Sequence, residues 1–230
     1  ADARWDALKS TNYEASRLTG LSALASSFRT ERLMATVALE YEAAFDRSAL
    51  SRHALSPSAD IRFTAFEGFD IVAFGRRAYR IPTFNELYYV GYGNPDLNPE
   101  DAWLTDLGVD FNRRAGAAWT LKLKADVFCN FLKNKIISAP TEEDPNIWAP
   151  YNIGKVRSAG MDILAGTLYE NAGWNVSADV RYSYQSAIDK TPDSYTYDTP
   201  VPYVARHTVV LDASVSWKGF SLAPVWQLRA

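Results

Sequence analysis

Between Trp119 and Phe131 the chain alternates without a break. Trp119, Leu121, Leu123, Ala125, Val127, Cys129 and Phe131 are interleaved with Thr120, Lys122, Lys124, Asp126, Phe128 and Asn130. A period of two over thirteen residues puts the two sets on opposite faces of a strand and does not fit helical spacing. One face is apolar. The other carries two lysines and an aspartate in mid-strand, which a dry protein core does not accept unpaired. Such a strand needs an apolar surround on one side and a wet or polar space on the other.

The same rhythm recurs at 20–28, 33–41, 59–66, 71–79, 101–111, 155–170, 174–184, 207–217 and 220–229. With 119–131 this makes ten strands, with no helix and no internal repeat. Residues 1–19 are ambiguous: 2–9 reads as the end of a strand and 10–17 as a polar loop. Between strands, short turns at 29–32, 67–70, 112–117, 171–173 and 218–219 alternate with long loops at 45–58, 80–100, 138–154 and 187–205. The loop 45–58 contains His53 and Pro57. In an up-and-down antiparallel sheet every short turn then falls at one end and every long loop at the other. Outer-membrane barrels have this asymmetry. Phe111, Trp119, Tyr169, Trp174, Trp217 and Phe220 fall beside short turns, and Trp103, Phe131, Tyr182 and Tyr184 toward the long loops. That distribution suits two aromatic girdles around an apolar band. A soluble β-sandwich explains the alternation equally well, but not the strand lengths, the one-sided loops or the sorted aromatics.

Charge and chemistry narrow the function. The net charge is −3 with both signs interspersed, which leaves no basic footprint for nucleic acid. Cys129 is the only cysteine; it excludes an intrachain disulfide and reads as a small hydrophobe on the apolar face. His53 and His207 are the only histidines, far apart and without a ligating partner nearby in sequence. No strained-turn nucleophile motif occurs, so neither an enzyme nor a metal or cofactor site is expected. Lys122, Lys124, Asp126, Asp179, Arg181, Asp106 and Asp110 are expected to line a wet interior.

The segment 80–100, RIPTFNELYYVGYGNPDLNPE, has too many prolines and glycines for a strand interior or long helix and too many aromatics for a solvated linker. It reads as a structured loop, and loops of that length are usually functional. Its motifs resemble those of TonB-dependent outer-membrane receptors: an aromatic-Arg-x-Pro box, Tyr79-Arg80-Ile81-Pro82, leading to an Asn-Pro-x-Leu-x-Pro-Glu box with Asn94, Pro95, Leu97, Pro99 and Glu100. The step Tyr151-Asn152-Ile153-Gly154-Lys155-Val156, the Gly160-Met161-Asp162 triplet and the run from Pro202 to His207 are similar to later features of that family. The overall look is closest to its cobalamin and ferric-siderophore receptors, of the kind found in Bacteroidetes.

The resemblance implies an all-β, antiparallel up-and-down transmembrane barrel of 22 strands in the bacterial outer membrane, blocked by an N-terminal plug. It implies outer-membrane lipid, the plug, the TonB complex and a small chelate as partners. Ten strands fall short of 22, and no plug or TonB-contacting box is recognisable. The chain is expected to be part of one barrel domain, a curved open sheet lacking plug and final strands that aggregates when expressed alone. Ligand contact is expected on the long loops, from Arg80, Tyr88, Tyr89, Tyr92, Trp148, Tyr151, Tyr195, Tyr197 and Tyr203; aromatic faces suit a macrocycle, a catecholate complex or a glycan. Haem receptors of the family place a histidine between the two boxes, and 83–93 has none. The expected function is energy-coupled import of cobalamin or a ferric siderophore. The alternatives are a glycan importer of the same superfamily, a passive porin, or a soluble carbohydrate-binding β-domain.

Overall fold

A computed structural model describes residues 2–9, 13–46, 51–141, 144–192, 194–202 and 204–230. In chain order the strands are β1 (Asp2–Lys9), β2 (Glu14–Arg29), β3 (Leu33–Asp46), β4 (Arg52–Phe66), β5 (Phe69–Arg80), β6 (Glu100–Ala115), β7 (Trp119–Pro140), β8 (Trp148–Asn171), β9 (Trp174–Asp189), β10 (His207–Trp217), β11 (Phe220–Leu222) and β12 (Val225–Arg229). One short helix, α1 (Phe84–Tyr88), interrupts the connection between β5 and β6. The twelve strands form one antiparallel sheet in sequence order, with β11 and β12 both pairing with β10. The sheet is open, with β1 bonded only to β2 at one side.

The connections sort by end. Two or three residues separate β2 from β3, β4 from β5, β6 from β7, β8 from β9 and β10 from β11. The tightest turns put consecutive residues in the left-handed region, Ala172 and Gly173 (φ 51 and 79) and Lys218 and Gly219 (φ 46 and 87). That geometry matches the twist of a hairpin's strands. The connections at the opposite end are longer, and those after β5 and β9 are the longest.

Cross-strand register separates the two faces. One row of partners runs Arg77, Trp103, Phe131, Arg157 and Ile188; a parallel row runs Ala73, Leu107, Val127, Met161 and Tyr184. On this face Leu24, Leu107 and Val127 are 77%, 54% and 55% exposed. A continuous apolar surface of this extent, open on its far side, needs lipid against it. Aromatic pairs mark its short-turn end: Trp119 with Tyr169, ring centres 4.8 Å apart, and Trp174 with Trp217 at 5.1 Å. Trp103 and Phe131 pair toward the other end. Trp119 and Phe131 are separated by about 40 Å of strand at ~3.3 Å per residue. A tilt of roughly 45° turns that into about 28 Å of height, close to the ~25 Å apolar band of an outer-membrane barrel. The opposite, inner face carries Asp106, Asp110, Lys122, Lys124, Asp126, Asp179 and Arg181.

Several strand ends differ from the sequence reading. Residues 2–9 form a full strand, and β2 begins at Glu14, inside the stretch read as a polar loop. The supposed loop 45–58 is mostly sheet: β3 continues to Asp46 and β4 starts at Arg52, so His53 and Pro57 lie within a strand. Much of 138–154 is a hairpin extension of β7 and β8. Beyond the aromatic belt the outer face no longer needs apolar side chains, so alternation fades while backbone pairing continues. The helix in 80–100 was also not expected. It is only five residues long and is set by a local cap rather than by periodicity.

Buried apolar side chains are few and lie at the long-loop end: Ala15, Ala43, Ala44, Ala54, Leu87, Leu97, Ala102 and Val156. Among the described residues, the core sits beneath the connection between β5 and β6.

Candidate functional site at the long-loop rim

Residues 81–99 build this site. Thr83 caps α1: its hydroxyl accepts from the Glu86 backbone N–H at 3.2 Å, and the Glu86 carboxylate accepts from the Thr83 N–H at 2.7 Å. That reciprocal pair satisfies donors which the first helical turn leaves open. The helix ends quickly, and the backbone N–H of Asn94 returns to the Glu86 carbonyl at 2.7 Å. A β-carbon on Gly93 would press within 3.0 Å of the Leu87, Tyr88 and Tyr89 backbone, so this close return needs glycine. Leu87, Leu97 and Pro82 are almost fully buried.

The loop is fastened to strands far apart in the sheet. Arg17 of β2 donates to the Pro82 carbonyl, and Arg52 of β4 to the Leu97 carbonyl at 3.3 Å. Asp46, whose side chain is 3% exposed, accepts from both arginines, in a bidentate fork from Arg17 at 2.5 and 3.0 Å and at 3.4 Å from Arg52. On the other side Asn94 donates to the Pro150 carbonyl at 3.1 Å. Asn98 N–H donates to Asn152, which returns a bond to the Asn98 carbonyl at 2.9 Å and another to the Asn134 carbonyl at 2.7 Å. Asn134, held at φ 54, donates to the Pro99 carbonyl at 3.3 Å. The loop therefore spans from β2 to β8 along the sheet's outer end.

Arg80 sits where the loop leaves β5. Its Nε donates to Glu100 at 2.6 Å, and its terminal nitrogens donate to Glu86 at 3.0–3.3 Å. Glu100 also accepts from the Ile136 N–H at 2.7 Å. Burial pushes the Glu86 carboxyl up, yet the bonds from Arg80 and Thr83 outweigh it and hold its pKa below the ordinary value. Glu100 follows the same balance, with Arg80 and Ile136 overcoming burial. The Arg80 guanidinium is correspondingly held charged, chiefly by Glu100.

The expected ligand residues divide by environment. Arg80 is committed to its two carboxylates. Tyr88 packs near Tyr13 and Phe84 with its hydroxyl enclosed and unpartnered. Tyr92 shares a hydrogen bond with Ser138 at 2.5 Å. Tyr89, Trp148 and Tyr151 present exposed rings, as do Tyr195 and Tyr197; Tyr195 is wholly exposed, and the Lys190 ammonium sits 5.6 Å from the Tyr197 ring. Tyr203 lies outside the described residues. Of the family-motif residues, Arg80, Pro82, Asn94, Leu97, Pro99 and Glu100 all take part in fastening or packing the loop. Sequence reasoning missed Arg17, Asp46, Arg52 and Asn134, which hold the loop from other strands; no local pattern marks a partner dozens of residues away.

Below the rim, the inner wall pairs its charges. Lys124 meets Asp110 at 3.1 Å, Arg62 meets Asp70 at 2.6 Å and Arg181 meets Asp212 at 3.0 Å. A cleft of about 570 Å³ lies between this wall and Val201, Val204 and Ala205, lined in part by Asn130, Lys135, Ser158, Gln185 and Arg229. Among the described residues no group of three or more His, Cys, Asp or Glu could hold a metal ion.

Lipid outside, charge inside, turns at one end and shaped loops at the other define an outer-membrane β-barrel wall. Residues 3–230 match the family described as TonB dependent receptor-like, beta-barrel, and the chain belongs to it. Its members reside in the outer membrane of Gram-negative bacteria, as does this protein. Among curated proteins it is similar to the vitamin B12 transporter BtuB of Vibrio vulnificus, 27% identical over 157 residues, covering 65% of this chain and 23% of the transporter. A B12 transporter of Photobacterium profundum is also 27% identical, over 65% of this chain and 22% of that protein. The chain thus spans under a quarter of the length of these relatives. Among solved structures, the siderophore receptor PirA from Acinetobacter baumannii superposes with TM-score 0.67 at 15% identity, over 95% of this chain and 34% of that one. The copper transporter OprC gives 0.66 at 17%, over 94% and 34%. These two support the fold. Nothing in the comparisons supports a Bacteroidetes origin, and the relatives are transporters and receptors rather than enzymes.

Proposed function

We propose that this chain is the rim-bearing part of an energy-coupled import receptor, and that its cargo is a scarce chelate, cobalamin or a ferric siderophore. The observation that carries the reading is the family match along nearly the whole chain, joined to a rim loop clamped at both ends with aromatic rings exposed around it. Residues 1–230 belong to one transmembrane barrel domain whose inner wall faces a plug supplied by the rest of the receptor, and TonB couples through that same part. Tyr89, Trp148, Tyr151, Tyr195 and Tyr197 form the contact surface for the cargo. Arg80, Tyr88 and Tyr92 shape it from behind. Rigid aromatic faces recognise flat or macrocyclic ligands at low entropic cost.

Uptake of labelled cobalamin and of ferric siderophores by cells carrying the whole receptor, with and without TonB, tests the proposal. TonB-dependent uptake of one class supports it. Uptake that persists without TonB supports a passive porin instead, and uptake of oligosaccharides alone supports the glycan importer.

A further inference from the structure

The cleft between the inner wall and Val201, Val204 and Ala205 carries charge of one sign. Lys135 of β7 and Arg229 of β12 both line it, and among the described lining residues none is acidic. The carboxylates around it are committed elsewhere. Asp189, cross-strand partner of the lining residue Val156, is 4% exposed and accepts from the Thr191 N–H and the Ser194 and Thr196 hydroxyls within its own turn. Glu100 feels the Lys135 charge, but it is bonded to Arg80 at 2.6 Å and to the Ile136 N–H at 2.7 Å. Asp162 lies on the Arg229 row three strands away, across Ser183 and Thr208, about 14 Å at ~4.8 Å per strand.

Neither cation has a charged partner within hydrogen-bond reach. Lys135 is half-buried, its cross-strand partner is Ile153, and among the described residues its ammonium makes no hydrogen bond. Arg229 meets the Gln227 side-chain oxygen at 3.0 Å from Nε and from one terminal nitrogen, and that group is neutral. A partly desolvated cation without a partner costs stability, which a bound anion offsets. The rest of the lining suits an organic anion better than a bare ion. At about 570 Å³ the cleft falls within the range of small-molecule sites. Leu132 and Val156 give it an apolar wall, while the Ser158 and Thr208 hydroxyls make no hydrogen bond among the described residues. Gln185 donates to the Ala205 carbonyl at 3.3 Å and so holds the covering segment over the wall.

We propose that this cleft is a charge-selecting subsite on the cargo path, below the exposed tyrosines of the rim, and that it takes a metal chelate of net negative charge between Lys135 and Arg229. The inference rests on the import reading above and narrows it. A ferric tris-catecholate keeps negative charge on its phenolate oxygens, to which both cations and the two free hydroxyls donate. A ferric tris-hydroxamate has the same octahedral shape but is neutral, and cobalamin presents mostly neutral amides. Neither gains as much from the two charges.

The test uses the whole receptor carrying this chain, purified in non-ionic detergent. Equilibrium binding of a ferric tris-catecholate is compared with that of a ferric tris-hydroxamate and of cobalamin. The double variant Lys135→Gln, Arg229→Gln is set against Lys122→Gln, an inner-wall cation about 26 Å down β7 from Asn130 at ~3.3 Å per residue. Heat-modifiable gel mobility confirms that both are folded. The tris-catecholate is expected to bind tightest and to weaken as ionic strength rises. The double variant should lose at least about tenfold in its affinity, the order of lost hydrogen bonds between charged groups, with less than about twofold change for the neutral chelate and none in Lys122→Gln. Equal binding of the charged and neutral chelates, undiminished tris-catecholate binding by the double variant, as when another part of the receptor fills the cleft, or an equal loss in Lys122→Gln would each overturn the assignment. TonB-dependent uptake of the neutral chelate or of cobalamin alone would overturn the charge selection and leave the transport reading standing. Uptake of the tris-catecholate that persists without TonB, with the charge-dependent binding intact, would overturn the transport reading alone.

Discussion

Arg17 of β2 donates from both terminal nitrogens to the carbonyl of Pro82, 65 positions later in the chain, at 3.1 Å each. The same guanidinium engages Asp46, so one side chain ties two strands and the entrance of the rim loop together. The loop is therefore a ledge whose position is dictated by the barrel wall. A receptor that recognises a rigid ligand gains from such pre-organisation, because less ordering is left to binding.

Arg17→Ala is predicted to release that ledge. Asp46 would remain enclosed with only the longer contact from Arg52, and breaking a buried pair costs about 3 kcal/mol or more. Hydrogen exchange in the whole receptor should show faster exchange across residues 83–97 and no change in β9 or β10. Arg17→Lys should restore little, since a single ammonium does not reproduce the bidentate fork. Unaltered exchange at 83–97 in the alanine variant would remove Arg17 from this role.

Acid should loosen the same loop through a different pair. Glu86 and Glu100 have pKa values below those of free carboxylates, so their pairing with Arg80 stabilises the folded rim above the unfolded-state value of about 4.3. That contribution is lost as pH falls through the lowered folded values. The opening of 83–97, read as exchange corrected for its intrinsic pH dependence, is expected to be flat from pH 8 to 5 and to rise below about 4. In Arg80→Gln the carboxylates lose the partner that lowers them, and the rise should move to higher pH. An identical profile in that variant would show that the pair does not govern the transition.

The strands of the membrane band were readable because lipid on one side and charge on the other enforce strict alternation. Trp119 to Phe131 and 207–217 show it plainly. Their ends were not readable, since past the belt β4 is held by backbone pairing and by side-chain bonds to distant partners, Arg52 to Asp46 and His53 to Tyr41, and the pattern around His53 and Pro57 resembles a loop. Helix α1 escaped notice because five residues give no periodicity; its one local sign is the spacing of Thr83 and Glu86. The motifs Arg80 to Pro82 and Asn94 to Glu100 located the rim loop, yet Asn94 with Pro150 and Arg52 with Leu97 lie 56 and 45 positions apart. Contacts at such separation leave no local trace.

Two glycines of similar appearance in sequence should behave oppositely. A β-carbon on Gly160 would collide with the Tyr184 carbonyl and the Phe128 ring, whereas one on Gly75 meets no atom within 4 Å. Gly160→Ala is therefore expected to cost about 1–3 kcal/mol through overpacking against backbone that cannot yield. Gly75→Ala should be neutral or slightly stabilising, as alanine lowers the entropy of the unfolded chain. The temperature at which the receptor loses its heat-modifiable mobility separates the two; a drop for Gly75→Ala equal to that for Gly160→Ala would contradict the close approach seen on the inner wall.

Tyr195 and Tyr197 offer the cleanest test of the proposed contact surface. Both are exposed, and Tyr195 touches so little of the protein that its removal should leave folding intact. If these rings face the cargo, Tyr195→Ala and Tyr197→Ala should each weaken binding by roughly tenfold, the order of an aromatic contact at an interface, while thermal stability stays within about 0.5 kcal/mol. Tyr92→Phe provides the contrast. It keeps the ring, loses the hydroxyl bond to Ser138, and should raise exchange in the rim loop with a smaller effect on affinity. The comparison separates contact from support: strong loss at the exposed tyrosines with mild loss at Tyr92 fits recognition by the 190–205 loop. The reverse order would move recognition to the inner side of residues 81–99, where Tyr92 and Asn94 reach toward β7 and β8.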